Sequence, residues 1–84
     1  MKKDDQYERA FSLVANLIYQ VKGILPVRIN VHDSLINDLA MDSVELIDLI
    51  MQLEVFGVIM QEEQITKDLT VGNIVYLVHK EISL

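Results

Sequence analysis

Three stretches of apolar residues with helical spacing place the strongest constraint on the fold of this chain. They occupy residues 4–22, 43–56 and 71–82, and within each the apolar residues recur at intervals of three and four. Such spacing puts the apolar side chains on one face of an α-helix, which must be buried against another element. The sequence therefore predicts an all-α fold: a small four-helix bundle with three long helices, a short third helix and a long, packed loop between helices 1 and 2.

The first predicted helix runs from near Asp4 to Lys22 and is followed by a segment that loses the helical period. Gly23 provides the expected stop, and Pro26 prevents the helix from continuing. The segment up to residue 41 holds too many apolar residues for a disordered linker, so we expect it to pack across the helices. Asp33-Ser34 is expected to begin a short helical turn within it. The predicted inner face of helix 1 consists of Tyr7, Ala10, Phe11, Leu13, Val14, Leu17, Ile18 and Val21.

The other helices also have boundaries that the sequence predicts. Helix 2 is expected over residues 43–56, where Gly57 ends it, and the short third helix begins near Gln61. Helix 4 is expected to start after Thr70, its N-cap, and to run to about residue 82. The predicted buried face of helix 2 comprises Leu46, Leu49, Ile50, Leu53 and Phe56, and that of helix 4 comprises Val71, Ile74, Val75, Val78 and Ile82 with Leu77 alongside.

The start of helix 2 presents one candidate functional residue, Ser43. Asp42 suits the N-cap because its carboxylate can accept a bond from a free backbone N–H, and Glu45 can reach back to the N–H of the cap. Ser43 then lies in the first turn with its hydroxyl unused, beside the positive end of the helix dipole. A phosphate attached to Ser43 is therefore favoured electrostatically, although an Asp-Ser pair is also a common helix start.

Residues 33–49, together with the following Leu53-Glu54, resemble the acyl carrier protein family around its modification site. In that family the serine of an Asp-Ser-Leu motif carries 4'-phosphopantetheine, and the match places Asp42 and Ser43 on the Asp-Ser pair. The resemblance implies that a phosphopantetheinyl transferase uses coenzyme A and Mg²⁺ to attach the group to Ser43. It also implies that the thiol of the group holds acyl intermediates as thioesters for acyl-transferring, ketosynthase-type or other enzymes, while the chain itself performs no catalysis.

Two residues depart from the family pattern. Ala40 stands where the family usually has glycine, and Val44 stands where it usually has leucine. Ala40 requires the loop to turn without the freedom of glycine at positive φ. The chain is also one residue shorter after Glu54, which affects the turn that follows helix 2. None of these departures alters the Ser43 hydroxyl, so they bear on the pathway that the carrier serves.

Negative charge is concentrated around Ser43. The net charge is −6, but residues 29–66 contain eight acids and no lysine or arginine, whereas the remaining residues hold seven bases and five acids. Such a field repels nucleic acid and steers basic protein surfaces toward this part of the chain. We therefore expect protein partners and no nucleic-acid binding.

The outward face of helix 2 mixes apolar residues with acids, which suits docking against a basic partner surface with an apolar centre. Helix 2 is the recognition helix in the family that the chain resembles, and the match carries this role to Val44, Glu45, Asp48, Met51 and Glu54. Val55 lies in the same outward row, with packing under a neighbouring loop as an equal alternative. The residues expected to line a space for an acyl chain are Leu46, Ile50, Leu53, Phe56 and Ile74, although the same residues would also make an ordinary filled core.

The 84 residues are expected to form one domain, residues 1–84, that is monomeric and has enough apolar residues, 51%, to bury a core. There is no cysteine, so a thioester would need a thiol from an added group. No apolar run approaches the roughly 18 residues of a membrane span and the N-terminus lacks a secretory signal, which predicts a cytoplasmic protein. His32 and His79 each lack a second ligand in sequence, so no metal site is expected.

Several functions stay open on the sequence. An acyl carrier could serve fatty acid, polyketide or other specialised biosynthesis, because these systems share the design. A peptidyl or aminoacyl carrier is the alternative within the carrier class, although the acidic helix 2 favours an acyl carrier that works with discrete enzymes. An unmodified acidic helical interaction module is the alternative from another class. An enzyme has the least support, since neither histidine lies near Ser43 in sequence to act as a base.

Overall fold

The computed structural model describes the backbone of residues 2–82 and the side chains of residues 6–82. It contains three α-helices: α1 over Lys2–Lys22, α2 over Ser43–Val55 and α3 over Val71–Ile82. Two short 3₁₀ turns, Pro26–Arg28 and Glu62–Gln64, lie in the connecting segments. The all-α prediction is confirmed, and the predicted fourth helix corresponds to α3.

The predicted short third helix is a single 3₁₀ turn, so the described residues form three helices rather than four. Its backbone N–H groups bond three residues back, from Gln64 to Gln61 and from Ile65 to Glu62. The side chain of Gln64 also accepts a bond from the Gln61 N–H at 2.7 Å, which closes the turn on itself. The turn contains no buried residue, and without an apolar face to pack, nothing stabilises a longer helix here.

Helix α1 is the central element, because it contacts both α2 and α3. The core lies along its inner face, where the apolar stripes of all three helices meet. Burial of these stripes is the main favourable contribution to the stability of the fold. The buried helical residues are Ala10, Val14, Ala15, Leu17 and Ile18 of α1, Leu46, Leu49 and Leu53 of α2, and Val71, Ile74, Val75 and Val78 of α3.

Three residues predicted on inner faces lie on the surface instead. Tyr7, Phe56 and Ile82 are each between 41% and 45% exposed. All three lie near the end of a helix, where the neighbouring elements no longer cover the apolar face. Phe56 is in addition the C-cap residue of α2, with φ −94° and ψ 9°, so the helical phase used to place it no longer applies.

Glycines end both α1 and α2, as predicted. Gly57 has φ +88°, and the N–H of Val58 donates to the Leu53 carbonyl at 3.1 Å while the N–H of Gly57 donates to the Glu54 carbonyl at 3.0 Å. This is the Schellman arrangement, with the buried side chains of Val58 and Leu53 providing its apolar contact. Gly23 ends α1 in the same left-handed region, at φ +85°.

The loop between α1 and α2 is fastened to the start of α3 by backbone hydrogen bonds. The N–H of Leu35 donates to the Leu69 carbonyl at 3.0 Å, and the N–H groups of Val71 and Gly72 donate to loop carbonyls at 2.9 and 2.8 Å. These bonds satisfy first-turn donors of α3 that have no partner within their own helix. The prediction of a packed loop is confirmed, and its buried apolar residues are Ile29, Leu35, Leu39 and Met41.

Ser34 is the buried polar residue that holds this loop in place. Its hydroxyl donates to the Lys67 carbonyl at 2.8 Å and accepts from the Asn37 N–H at 3.0 Å. A single helical turn follows, in which the Asp38 N–H donates to the Ser34 carbonyl at 3.0 Å, as predicted for this stretch. An isolated antiparallel bridge pairs Ser34 with Thr70. The loop is thereby fixed on the side that leads into α2.

Thr70 caps α3, as predicted. Its side chain accepts from the Asn73 N–H at 3.2 Å, and the Asn73 side chain accepts from the Thr70 N–H at 2.9 Å. Gly72 lies in the first turn of α3, where the backbone of Val31 leaves little room for a side chain. A Cβ at this position would lie 3.0 Å from the carbonyl oxygen of Val31, the same oxygen that accepts the Gly72 N–H.

Candidate functional site

The candidate site lies at the start of α2, where a reciprocal pair of hydrogen bonds fixes the first turn. The N–H of Glu45 donates to the Asp42 carboxylate at 2.9 Å, and the N–H of Asp42 donates to the Glu45 carboxylate at 3.0 Å. Asp42 has the extended backbone of an N-cap, with φ −92° and ψ −179°. The predicted capping box is confirmed, and Ser43 is the first residue of the helix.

Ser43 is exposed to solvent. Within residues 6–82, no hydrogen bond joins its hydroxyl to another group. Because Asp42 and Glu45 satisfy the cap without it, the hydroxyl is free to be esterified. The backbone N–H groups and the helix dipole of the first turn favour a negative group at this position.

His32 lies in an exposed turn of the loop between α1 and α2. Its backbone N–H donates to the Asn30 side chain at 2.9 Å.

Ala40, two residues before the cap, has φ +57°. This is the left-handed conformation that glycine adopts freely, and a residue with a Cβ adopts it at a cost of about 1–2 kcal/mol. The neighbouring residues on both sides, Leu39 and Met41, are buried. The N–H of Met41 also donates to the Leu35 carbonyl at 3.0 Å. These anchors hold Ala40 in the left-handed turn that directs the chain into α2.

Glu45 has a second partner that the sequence did not predict. The Lys22 ammonium at the end of α1 lies 3.1 Å from Glu45 Oε1, the oxygen that also accepts the Asp42 N–H. The side chains of Lys22 and Glu45 are only 26% and 24% exposed. Glu45 therefore has its charge partly neutralised within the molecule, unlike the other acids predicted for docking. No spacing rule links residues on two helices 23 positions apart, so the sequence carried no signal for this pair.

The outward face of α2 carries an exposed apolar row with acids beside it. Val44 and Val55 are 75% and 82% exposed, and Met51 lies between them with 60% of its side chain exposed. Asp48 and Glu54 are also exposed. Val55 is therefore not covered by a neighbouring loop. At 1.5 Å per residue the row from Val44 to Val55 is about 16 Å long.

Ile47 is a member of this row that the sequence reasoning missed. It is 57% exposed, three residues after Val44 and four before Met51, which places it on the same face. That spacing was a usable signal. On the same side of the helix the exposed Asp48 accepts a hydrogen bond from the Gln52 side chain at 3.2 Å, one helical turn along. We define the outer row as Val44, Ile47, Met51 and Val55.

The structure places four of the five predicted acyl-lining residues together. Leu46, Leu53 and Ile74 belong to the buried core and Ile50 packs against it, whereas Phe56 is exposed. A cleft of about 340 Å³ opens beside the second 3₁₀ turn, and none of the five residues borders it. The cleft is lined by Met60, Gln64, Leu69, Asn73, Tyr76 and Leu77.

A helical fold with an exposed serine at a capped helix start, beside an acidic and apolar helix face, is the arrangement expected of a small carrier protein. Residues 12–78 match the protein family described as "Phosphopantetheine attachment site". The chain is also 36% identical over 76 residues to the acyl carrier protein of Thermotoga maritima, an alignment that covers 89% of this chain and 94% of that protein. The chain belongs to the acyl carrier protein family.

Family membership establishes the general properties of the protein. Its prosthetic group is a covalently attached phosphopantetheine, and it is a carrier rather than an enzyme. Its partners include a phosphopantetheinyl transferase and biosynthetic enzymes, as the family implies. Among residues 2–82, no helix is both long and apolar enough to cross a membrane.

Proposed function

We propose that Ser43 is the residue that carries 4'-phosphopantetheine and that the protein delivers acyl intermediates to discrete fatty acid, polyketide or related biosynthetic enzymes. The group supplies a terminal thiol, which the cysteine-free chain lacks, and this thiol holds acyl groups as thioesters. The observation that carries the proposal is the exposed Ser43, the first residue of a helix whose cap is complete without its hydroxyl.

Comparison with the other serines supports the choice of Ser43. Ser34 is buried, and its hydroxyl already makes two hydrogen bonds. Ser12 is exposed but lies in the middle of α1, away from the positive end of a helix. Ser83 lies outside the described residues. Ser43 thus combines access, a free hydroxyl and favourable backbone groups for a phosphodiester.

Asp42 contributes to attachment by positioning rather than by chemistry in this proposal. Its carboxylate is held 2.9 Å from the Glu45 N–H, so it fixes the backbone around Ser43. A carboxylate engaged in this way keeps the first turn rigid when the transferase approaches. Rigid presentation lowers the entropy that the enzyme must remove to align the serine hydroxyl.

We further propose that partner enzymes dock on the outer row of α2 and its flanking acids, Asp48 and Glu54. Exposed apolar residues on a helix that carries acids and no lysine or arginine of its own fit a partner surface that has an apolar centre and a basic rim. Because Glu45 is bonded to Lys22, it contributes less to docking than its position in the sequence suggested.

Accommodation of an acyl chain inside the bundle would require the core to open. Leu53 and Ile74 have no exposed surface and Leu46 has little, so the predicted lining is packed in this state. For an acyl chain to enter, the side chains of four core residues would have to move apart: Leu46, Ile50, Leu53 and Ile74. Phe56, exposed at the end of α2, would lie outside such a space.

Mass spectrometry tests the attachment site. The purified protein is incubated with coenzyme A, Mg²⁺ and a broad-specificity phosphopantetheinyl transferase, and we expect the mass of one phosphopantetheine to be added. Ser43→Ala should abolish the addition, whereas the matched control Ser12→Ala, which changes an exposed serine elsewhere, should be modified normally. An unmodified wild-type protein, or a modified Ser43→Ala variant, would contradict the proposal.

The alternatives are separated by the cargo. A peptidyl or aminoacyl carrier would be isolated from its source with an amino acid or peptide on the thiol, whereas the present proposal requires an acyl group. The acidic surface around α2 favours the acyl carrier, because it suits separate, freely diffusing partners. An unmodified interaction module would carry no prosthetic group. In our proposal residues 1–84 act as one monomeric carrier domain in the cytoplasm.

A further inference from the structure

The ion pair between Lys22 and Glu45 lies next to the proposed attachment site. It is the one salt bridge within residues 6–82, and it joins the last residue of α1 to the first turn of α2. Glu45 Oε1 accepts hydrogen bonds from both the Lys22 ammonium, at 3.1 Å, and the Asp42 N–H, at 3.0 Å. The lysine and the N-cap residue of α2 are therefore bonded to the same carboxylate oxygen.

The Lys22 charge lies close to several negative groups that would meet at a modified Ser43. A phosphodiester on Ser43 would carry a negative charge, and the carboxylates of Asp42 and Glu45 lie one and two residues away. All three groups belong to the cap or the first turn of α2, so their like charges repel each other, which offsets part of the stabilisation that the helix start provides. The chain has no lysine or arginine from residue 29 to residue 66, so the local sequence contains no counter-charge.

We propose that Lys22 supplies this counter-charge: by neutralising Glu45 it allows the acidic start of α2 to hold a phosphodiester on Ser43 without loss of stability. The inference rests on the proposed attachment at Ser43. Lys22 is a positioning residue in this account, since it acts through Glu45 and the capping box. The partial burial of both side chains reduces screening by solvent and salt, so the pair is stronger than a fully exposed one.

The test compares the stability of the unmodified and modified forms of the full-length protein. Urea unfolding of each form gives an equilibrium constant, and the ratio of the two constants measures how well the fold tolerates the phosphodiester. In wild-type protein we expect a ratio near one. In Lys22→Met we expect the unfolding equilibrium constant of the modified form to be about twofold to fivefold larger than that of the unmodified form.

Three further variants make the test specific. Lys22→Arg keeps the charge and should retain the wild-type ratio. Glu45→Gln keeps the hydrogen bond to the Asp42 N–H but removes the negative charge, so the ratio should change in the direction opposite to that of Lys22→Met. The double variant Lys22→Met/Glu45→Gln should return close to the wild-type ratio. In 1 M salt, where the Debye length is about 3 Å, the differences should shrink.

The outcomes separate this inference from the proposed function. If Lys22→Met destabilises both forms equally, Lys22 has a purely structural role and the inference is wrong. If wild-type protein cannot be modified at Ser43 at all, the proposed function fails first. Should Lys22→Met not fold, Glu45→Gln decides the matter alone, because an unchanged ratio in that variant would also overturn the inference.

Discussion

Replacing Ala40 with glycine should stabilise the protein, which is the opposite of the usual effect of introducing a glycine. Ala40 has φ +57°, where its Cβ costs about 1–2 kcal/mol relative to glycine. The new glycine increases the entropy of the unfolded chain, which costs about 0.4–1 kcal/mol. At the midpoints of these two ranges the difference favours Ala40→Gly by about 0.8 kcal/mol. The exposed position means that no packing is lost with the methyl group.

Thermal unfolding followed by circular dichroism measures this effect. For a domain of this size, 1 kcal/mol corresponds to a shift of about 4–8 °C in Tm, so Ala40→Gly should raise Tm by several degrees. The matched control is Gly57→Ala at φ +88°, where the new Cβ would also lie 3.3 Å from the Glu81 carboxylate. That variant should lower Tm.

A fall in Tm for Ala40→Gly, with Gly57→Ala behaving as expected, would refute the reasoning for the loop. It would mean that Ala40 is not held in the left-handed conformation, and that the turn into α2 is built differently. Because Ser43 and its cap are unchanged in Ala40→Gly, modification of Ser43 should proceed at the wild-type rate in this variant.

The remaining predictions concern the core, the loop contact and the docking face. Leu53→Ala should destabilise the protein by about 2–5 kcal/mol in urea unfolding, because the side chain is fully buried, and a loss below about 1 kcal/mol would contradict the packing described. Gly72→Ala should destabilise by about 1–2 kcal/mol despite the better helix propensity of alanine, since its Cβ would lie 3.0 Å from the Val31 carbonyl that accepts the Gly72 N–H. Asp48→Lys should weaken transferase binding about fivefold at low salt, whereas Glu8→Lys on α1 makes the same charge change and should have little effect; equal effects would count against docking on α2.

The start of α2 was predictable because its signals are local. A cap and its reciprocal partner lie three residues apart, so Asp42 and Glu45 identified the first turn without reference to the rest of the fold. Gly57 as a helix stop was predictable for the same reason, because the backbone freedom of a single residue determines it. The positive φ of Ala40 was not predictable from the residue itself, since a Cβ disfavours that conformation.

Features that depend on two distant segments were not predictable from spacing. The ion pair of Lys22 with Glu45 depends on how α1 and α2 pack, and the close approach of Gly72 to Val31 depends on where the loop meets α3. Periodicity also fails at helix ends, as Phe56 shows, because it gives the direction of a side chain but not whether another element covers it. The predicted third helix was too short and too polar to form more than one 3₁₀ turn.

The central claim is that the hydroxyl at the start of α2 is the attachment point. Fragmentation mass spectrometry of protein isolated from cells that contain a phosphopantetheinyl transferase tests it most directly, because it locates the added mass on a single residue. The account predicts that Ser43 carries the phosphopantetheine. Finding the group on another residue, or finding Ser43 unmodified in all of the isolated protein, would contradict it.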